Sequence, residues 1–260
     1  MDEEALAAAA GEVVASRLAR HRLARLTALT TLEDGYRVQE RANALLKPHL
    51  GPRVGHKIGG TTEPMRRYIQ VPEPIAGEIF ARQVHPDGAV VARRDYVRLG
   101  IETEIAVRLG RDLPPRTESY RPEDVALAIA VVMAAIELVD DRYQDFATIG
   151  AATLIADNGF DAGSILGTPA PGWRELDLGT LVARTLRDGT VMAEGRSDAL
   201  YGHPLAALAW LASRRASLGL GLAASSFVSL GSITPVQWVT APATWRIEVE
   251  ALGAVTVTVV

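Results

Sequence analysis

Glu102-Thr103-Glu104 is the first place in this chain of 260 residues where residue type and spacing point to chemistry. On a strand, residues i and i+2 project to the same face, so both carboxylates would point one way. Two like charges turned toward an interior resist desolvation unless something neutralises them. A divalent cation would do so, and carboxylate oxygens suit a hard ion such as Mg²⁺ or Mn²⁺. The same pattern also describes a strand whose glutamates face water while Ile101, Thr103 and Ile105 face a core. Glu137 weighs against that simpler reading. It lies inside the apolar run Ala134-Ala-Ile-Glu-Leu-Val139, where a lone buried carboxylate is costly unless paired or metal-bound. Its alternative is to reach the surface or to find a cation such as Arg142. A third carboxylate beside a facing pair would complete a three-oxygen site open to water and substrate. Such a site is a Lewis acid for a carbonyl compound rather than a closed structural centre.

Other residues could serve that chemistry. Lys57 sits in Gly55-His56-Lys57-Ile58-Gly59-Gly60, where glycines permit close backbone approach to a ligand. A desolvated lysine there could titrate low enough for acid–base work; an exposed turn lysine is the alternative. Asp157-Asn158-Gly159 reads as a turn. Gly231-Ser232-Ile233-Thr234-Pro235 places two hydroxyls and glycine-freed backbone near a strand end, fit to grip a carboxylate or to be an ordinary turn.

The elements that must hold these residues are legible in the patterning. Leu6, Val13, Val14, Leu18 and Leu23 recur at roughly helical spacing. Thr31 and Asp34 form a capping-box signature for a second helix through Tyr36, Val38, Ala42 and Leu46, ended by Pro48, Gly51 and Pro52. Val97 to Leu109 alternates as a strand does. Pro122 opens a helix reaching about Ala130, and the β-branched run to Val139 reads as a buried strand. Arg187-Asp188-Gly189-Thr190 is a hairpin signal, Pro204 to Leu218 an amphipathic helix, and Phe227 to Val260 a succession of strands. No regular βαβ alternation occurs, which disfavours Rossmann and TIM architectures. The glycine-rich segments match neither a dinucleotide fingerprint nor a phosphate-binding loop. The expectation is one α+β unit, with a helical N-terminal arm over 1–52 and a mixed β catalytic body over 53–260.

Composition narrows the chemistry further. The chain has no cysteine, which removes disulfides, thiolate metal sites and cysteine nucleophiles. Lysine and arginine number 27 against 31 acidic residues, a net charge of −4 that gives no global attraction to nucleic acid. A hydrophobic fraction of 48% supplies a real core. No uncharged apolar run is long enough to span a membrane. The N-terminus carries Asp2, Glu3 and Glu4 where a secretory peptide would be basic, so the expected location is cytoplasmic.

Five segments occur in order and at fitting separations: Gly55-His-Lys-Ile-Gly59, Ile101-Glu-Thr-Glu-Ile105, Ala135-Ile-Glu-Leu-Val-Asp140, Ala156-Asp-Asn158 and Gly231-Ser-Ile-Thr-Pro235. Together they resemble the 2-keto-4-pentenoate hydratase, 2-oxo-hept-3-ene-dioate hydratase and 4-oxalocrotonate decarboxylase group of the fumarylacetoacetate hydrolase superfamily. The resemblance runs from about Leu32 to the C-terminus. It implies a fumarylacetoacetate hydrolase-like mixed β-sandwich roll with N-terminal helices, assembled as a homo-oligomer and working in aromatic catabolism. It also implies a small 2-keto acid substrate and a complex with a sister enzyme of the pathway. By position, Glu102, Glu104 and Glu137 match the metal ligands and Lys57 the active-site lysine. Asp157 lies in the segment lining the site, and Ser232 and Thr234 match the loop touching substrate oxygens. His56, beside Lys57, is counted with the substrate-binding residues.

The chain departs from the group in two respects. Several hydratases carry an acid where Glu73-Pro74-Ile75-Ala76-Gly77 places Ile75, so either Glu73 or Glu78 substitutes from nearby or the reaction uses fewer protein bases. The residues after Asp157-Asn158 are also altered, to Gly159-Phe160-Asp161. The implied activity is a Mg²⁺- or Mn²⁺-dependent lyase that hydrates an unsaturated 2-keto acid. Decarboxylation of a 4-oxalocrotonate-type diacid is the neighbouring alternative. Acylpyruvate C–C hydrolysis, needing a His–Glu pair, and a non-catalytic partner subunit are the others.

Overall fold

The computed structural model describes residues 1–260. Two helices lead the chain. In α1 (Glu3–Ala19) the Asp2 side chain accepts from the Ala5 N–H, satisfying one of the free donors of the first turn. In α2 (Leu32–Leu50) the Thr31 hydroxyl takes the Asp34 N–H while the Asp34 carboxylate takes the Thr31 N–H, the reciprocal cap expected from the sequence. Pro48 does not stop α2. It rides inside the last turn, because the buried face through Val38, Ala42 and Leu46 carries the helix past one forfeited hydrogen bond; Gly51, at φ 84°, ends it.

The body follows as β1 (Arg53–Gly59), α3 (Glu63–Ile69), β2 (Ile75–Phe80), β3 (Val84–Pro86), β4 (Ala89–Val91) and β5 (Leu99–Leu109). Next come α4 (Pro122–Ala126), β6 (Ile129–Asp140), α5 (Gly150–Ala156) and β7 (Asp161–Leu166). The chain closes with β8 (Val182–Arg187), β9 (Thr190–Arg196), α6 (Pro204–Ser217), β10 (Phe227–Ser232), β11 (Gln237–Trp238), β12 (Ala243–Val249) and β13 (Gly253–Val259). The helix from Pro122 is shorter than its expected reach to Ala130. Ladder pairing takes over at once: Gly110 N–H donates to the Ala128 carbonyl and Leu109 pairs with Ile129. No helix is long and apolar enough to cross a membrane.

The strands form two mixed sheets. The larger has the order β2-β1-β10-β5-β6-β7-β3, with β11 also paired to β5; the smaller has the order β4-β13-β12-β8-β9. β1 and β10, β3 and β7, and β4 and β13 run parallel, and the remaining pairs are antiparallel. A core of 42 buried residues fills the space between the sheets, including Ile101, Ile105, Ile136 and Leu138 from one and Ile247, Val255 and Val257 from the other. Thr103 also points inward, where its hydroxyl lies 2.5 Å from that of Thr185.

A second core, of 19 buried residues, joins the N-terminal helices to the far face of the large sheet. It unites Leu6, Val13, Val38 and Ala42 with Ile75, Val139 and Phe160. α2 lies so close to α5 that a Cβ on Gly35 would stand 2.6 Å from the Ala152 carbonyl oxygen. The large sheet is therefore covered on both sides. Its central strands bury the face that an isolated sandwich would turn to water, and that face carries the glutamates.

Candidate active site

On β5 the glutamates alternate with the inward-facing Ile101, Thr103 and Ile105, so they project to the face away from the smaller sheet. The expected alternation is right, but its polar side is not a solvated face. Glu104 is completely buried, and Glu102 is partly accessible. Glu137, on the adjacent β6, pairs directly with Glu102 and is also buried. One carboxylate oxygen from each of Glu102, Glu104 and Glu137 lies within 4.8 Å of the others. Like charges directly opposite on adjacent strands destabilise a sheet, and burial multiplies that effect.

The surroundings satisfy only part of this charge. Glu104 Oε2 accepts from the Ser229 hydroxyl and from the Gly231 N–H at 3.1 Å. That N–H reaches Glu104 because the β10 register shifts between Ser229 and Ser232, with Gly231 at φ 110°. A side chain there would collide with Thr61, whose Oγ1 is 2.3 Å from an added Cβ. Glu137 Oε1 accepts from Lys57 Nζ. Glu104 Oε1 and Glu137 Oε2 are buried without any partner. Burial raises Glu104 well above the ordinary carboxylate range, reinforced by Glu137 and Glu102. Burial likewise pushes Glu137 up to about 7, with Lys57 opposing. Three converging carboxylates with two orphaned oxygens fit a hard divalent cation by charge, donor type and spacing.

Lys57 is the cation already present. It reaches the carboxylates from β1, donating to Glu137 and, at 2.8 Å, to the Gly159 carbonyl. Burial alone would lower the ammonium, but Glu137, Glu102 and Asp161 outweigh it and hold the lysine charged above its ordinary value. Against the expectation of a low-titrating lysine, the neighbouring carboxylates favour the charged form of Lys57. Gly77 makes room for it, since a Cβ there would stand 2.8 Å from Lys57 Cγ.

The Asp157–Gly159 segment pins this arrangement. Both Asp157 oxygens accept from Arg142 Nη2 at 2.7 Å, and Arg17 of α1 lies 3.5 Å away, so the carboxylate is committed to an ion pair. Asn158 exchanges two hydrogen bonds with the Glu78 backbone, at 2.8 and 2.7 Å, tying the segment to β2. Ser232 pairs opposite Glu104 and is half-buried, with its hydroxyl donating to the Thr234 carbonyl. The Thr234 hydroxyl points elsewhere, 2.9 Å from Thr185 between the two sheets.

Besides Thr234, two expected residues are not brought to the carboxylates. His56 neighbours Lys57 in sequence, and on a strand that puts it on the opposite face, in a groove with α2 and α6 beside Arg53 and Arg215. Burial pushes its imidazole well below the ordinary value. Glu73 is exposed and accepts from the Trp210 indole at 3.0 Å. Glu78, the other substitute considered, pairs with Arg53 at 2.6 Å and shares the His56 face. Ile75 itself is buried, its side chain close to the positions where side chains on Gly59 and Gly159 would begin.

One residue went unrecognised in the sequence. Asp161 is completely buried, and neither carboxylate oxygen has a partner. It pairs with Val139, two residues from Glu137 on the same face of β6. Burial pushes it up to about 7, with Glu137 adding to the rise. Asn158, Gly159 and Phe160, at φ 55°, 60° and 65°, are three successive left-handed residues leading into it. A run of that kind, including a buried phenylalanine, is sparsely populated backbone and marks a segment held under constraint.

The fold and this cluster define a class. Residues 61–260 match the model of the fumarylacetoacetate (FAA) hydrolase C-terminal family, and the chain belongs to that family. Within it, the chain is 34% identical over 223 residues to a 2-keto-4-pentenoate hydratase of Burkholderia vietnamiensis, covering 86% of this chain and 84% of the relative. It is 28% identical over 225 residues to a 2-hydroxyhexa-2,4-dienoate hydratase of Comamonas testosteroni, covering 86% and 84%. Among solved structures, a 4-oxalocrotonate decarboxylase from Pseudomonas putida G7, complexed with magnesium and adipate, superposes with a TM-score of 0.93. That match covers 100% of this chain and 99% of the other at 28% identity.

Proposed function

We propose that this protein is a divalent-metal-dependent hydratase that adds water to a 2-hydroxy-2,4-dienoate, the enol form of an unsaturated 2-keto acid. The observation that carries the reading is the convergence of Glu102, Glu104 and Glu137, with two buried oxygens unpartnered, beside the Lys57 ammonium. The three glutamates would hold the ion, Mg²⁺ or Mn²⁺. Once bound, it supplies a Lewis acid for the keto oxygen and neighbouring carboxylate of the substrate. Lys57 holds its ammonium toward the same point, where it stabilises negative charge developing on an enolate. Ser232, half-buried opposite Glu104, would orient a substrate carboxylate. Asp157 acts indirectly, holding Asn158 and Gly159 in register through Arg142.

Decarboxylation of a keto diacid is the second reading, favoured by the likeness to the solved decarboxylase. A second substrate carboxylate would want a free cation, and the candidate arginines are engaged. Arg142 holds Asp157 and Asp140, Arg66 donates to the Gly60 and Thr61 carbonyls, and Arg67 pairs with Glu63. On the glutamate face the neighbours farther along β5 and β6 are apolar: Ala106, Met133 and Ala135, with Val131 and Leu166 packed against them. Both observations favour a substrate with an uncharged distal end. Acyl hydrolysis is disfavoured because His56 faces away from the glutamates.

The test is turnover with Mg²⁺ of 2-hydroxypenta-2,4-dienoate against 4-oxalocrotonate, followed by loss of dienol absorbance and by product mass. A gain of one water with the dienoate, at a higher kcat/KM than carbon dioxide release from the diacid, supports the reading. Preferential decarboxylation replaces it with the second reading, and no metal-dependent turnover of either leaves a non-catalytic partner subunit.

A further inference from the structure

Water addition to a dienol requires protons to move to and from carbon, and the site as built leaves few groups to carry them. Lys57 is held charged between Glu137 and Gly159, and the three glutamates converge on a cation position. Asp157 is locked to Arg142. Glu73 and Glu78 lie off this face. Asp161 remains: a fully buried carboxyl, both oxygens unpartnered, on the Glu137 face of β6.

Its surroundings explain how it is held there. The left-handed run from Asn158 to Phe160 delivers β7 at this angle, and Arg17 of α1 donates to the Asp161 main-chain carbonyl, leaving the carboxyl free. The charged groups facing it are Lys57 from β1, Glu137 from β6, Arg17 from α1 and Arg142 beyond the end of β6. An orphaned acid in such a setting costs stability, and it persists where function needs it.

We propose that Asp161 is the proton donor and acceptor for substrate carbon, which deepens the hydratase reading and rests on it. In the first step the neutral carboxyl gives its proton to C5 of the dienol. A C5–H bond forms as the double bonds shift toward C2 and the C2 hydroxyl releases its proton to water; a proton from water then restores the carboxyl. The product of this step is the 2-oxo-3-enoate, an isomer of the substrate, to which water then adds at C4. In the reverse sense the ionised carboxylate removes a proton from C5 of the 2-oxo-3-enoate, and the electron pair passes through the C3–C4 double bond to the C2 oxygen of the dienolate.

The experiment separates proton transfer from hydration. Full-length wild type, Asp161→Asn and Asp161→Ser are compared with Mg²⁺ in heavy water, by proton NMR. The first probe is deuterium uptake at the C5 methyl of 2-oxopent-3-enoate, and the second is the hydration of 2-hydroxypenta-2,4-dienoate. Mg²⁺ affinity by calorimetry and melting temperature are measured on the same samples. The expected result is a loss of exchange and of hydration of about 100-fold or more in both variants. Mg²⁺ affinity should stay within threefold, and Asp161→Glu should recover part of the exchange. Exchange by wild type without hydration would refute the hydratase reading while leaving the role of Asp161 supported, provided that the variants lose it. Exchange in the variants within threefold of wild type would overturn the proposal. So would absence of exchange in wild type, or collapse of both variants' melting or metal affinity, which would make the carboxyl structural.

Discussion

Stripping divalent ions with a chelator and then raising the pH should weaken the fold, by an amount set largely at Glu137. Burial raises its carboxyl from the ordinary 4.5 to about 7 in the folded protein. The folded chain therefore keeps a proton that the unfolded chain has released, and stability falls as pH rises across that window. At about 1.4 kcal/mol per pH unit, the loss between pH 4.5 and 7 is on the order of 3 kcal/mol from this group. Asp161, also raised to about 7, pulls in the same direction. A saturating divalent ion replaces the proton as the neutralising charge, and at a thousand times its dissociation constant adds about 4 kcal/mol. The assay is guanidinium unfolding at pH 5, 6, 7 and 8, with chelator and with excess Mg²⁺, on wild type and Glu137→Gln. Wild type in chelator should lose stability steadily up to pH 7, Mg²⁺ should cancel most of that slope, and Glu137→Gln should be flatter by about 3 kcal/mol. A chelated wild type with no slope in this window, or a slope indifferent to Mg²⁺, would refute the reasoning that these carboxylates form one charge-loaded site.

Three substitutions probe the supporting parts. Gly231→Ala forces a side chain into Thr61 at a φ of 110° and should cost about 2–3 kcal/mol in chemical denaturation while loosening Mg²⁺ binding through the lost donor to Glu104. Arg142→Ala leaves Asp140 buried without its cation and Asp157 with Arg17 alone, and should cost about 3–5 kcal/mol by the same measurement. Glu73→Gln, on the surface, should leave kcat/KM within twofold and stability within about 0.5 kcal/mol, which enzyme assay and a melting curve will check.

Much of the site was legible because a strand's period of two is unambiguous. Glu102 and Glu104 had to share a face, and Glu137 in an apolar run had to have a reason to be buried. The capping box at Thr31 and Asp34 was readable because both partners lie within one turn. The same period, applied to His56 and Lys57, places them on opposite faces; adjacency in sequence was the misleading cue. Asp161 was hidden for a different reason. Its position depends on three successive left-handed residues, two of them not glycine, and local preference argues against that conformation. The commitment of Asp157 to Arg142 and Arg17, and of Thr234 to Thr185, depends on contacts from distant elements that no local pattern encodes.

The most direct measurement of the central claim is calorimetric titration of Mg²⁺ into chelator-stripped wild type and Glu104→Gln at pH 7.5. Glu104 is fully buried, one of its oxygens has no partner, and its carboxylate converges with the other two. Wild type should bind one ion per chain with release of protons, and Glu104→Gln should bind it at least 100-fold more weakly while still folding. Equal affinity in the two proteins, or no binding by wild type, would contradict the assignment of Glu102, Glu104 and Glu137 as a metal centre.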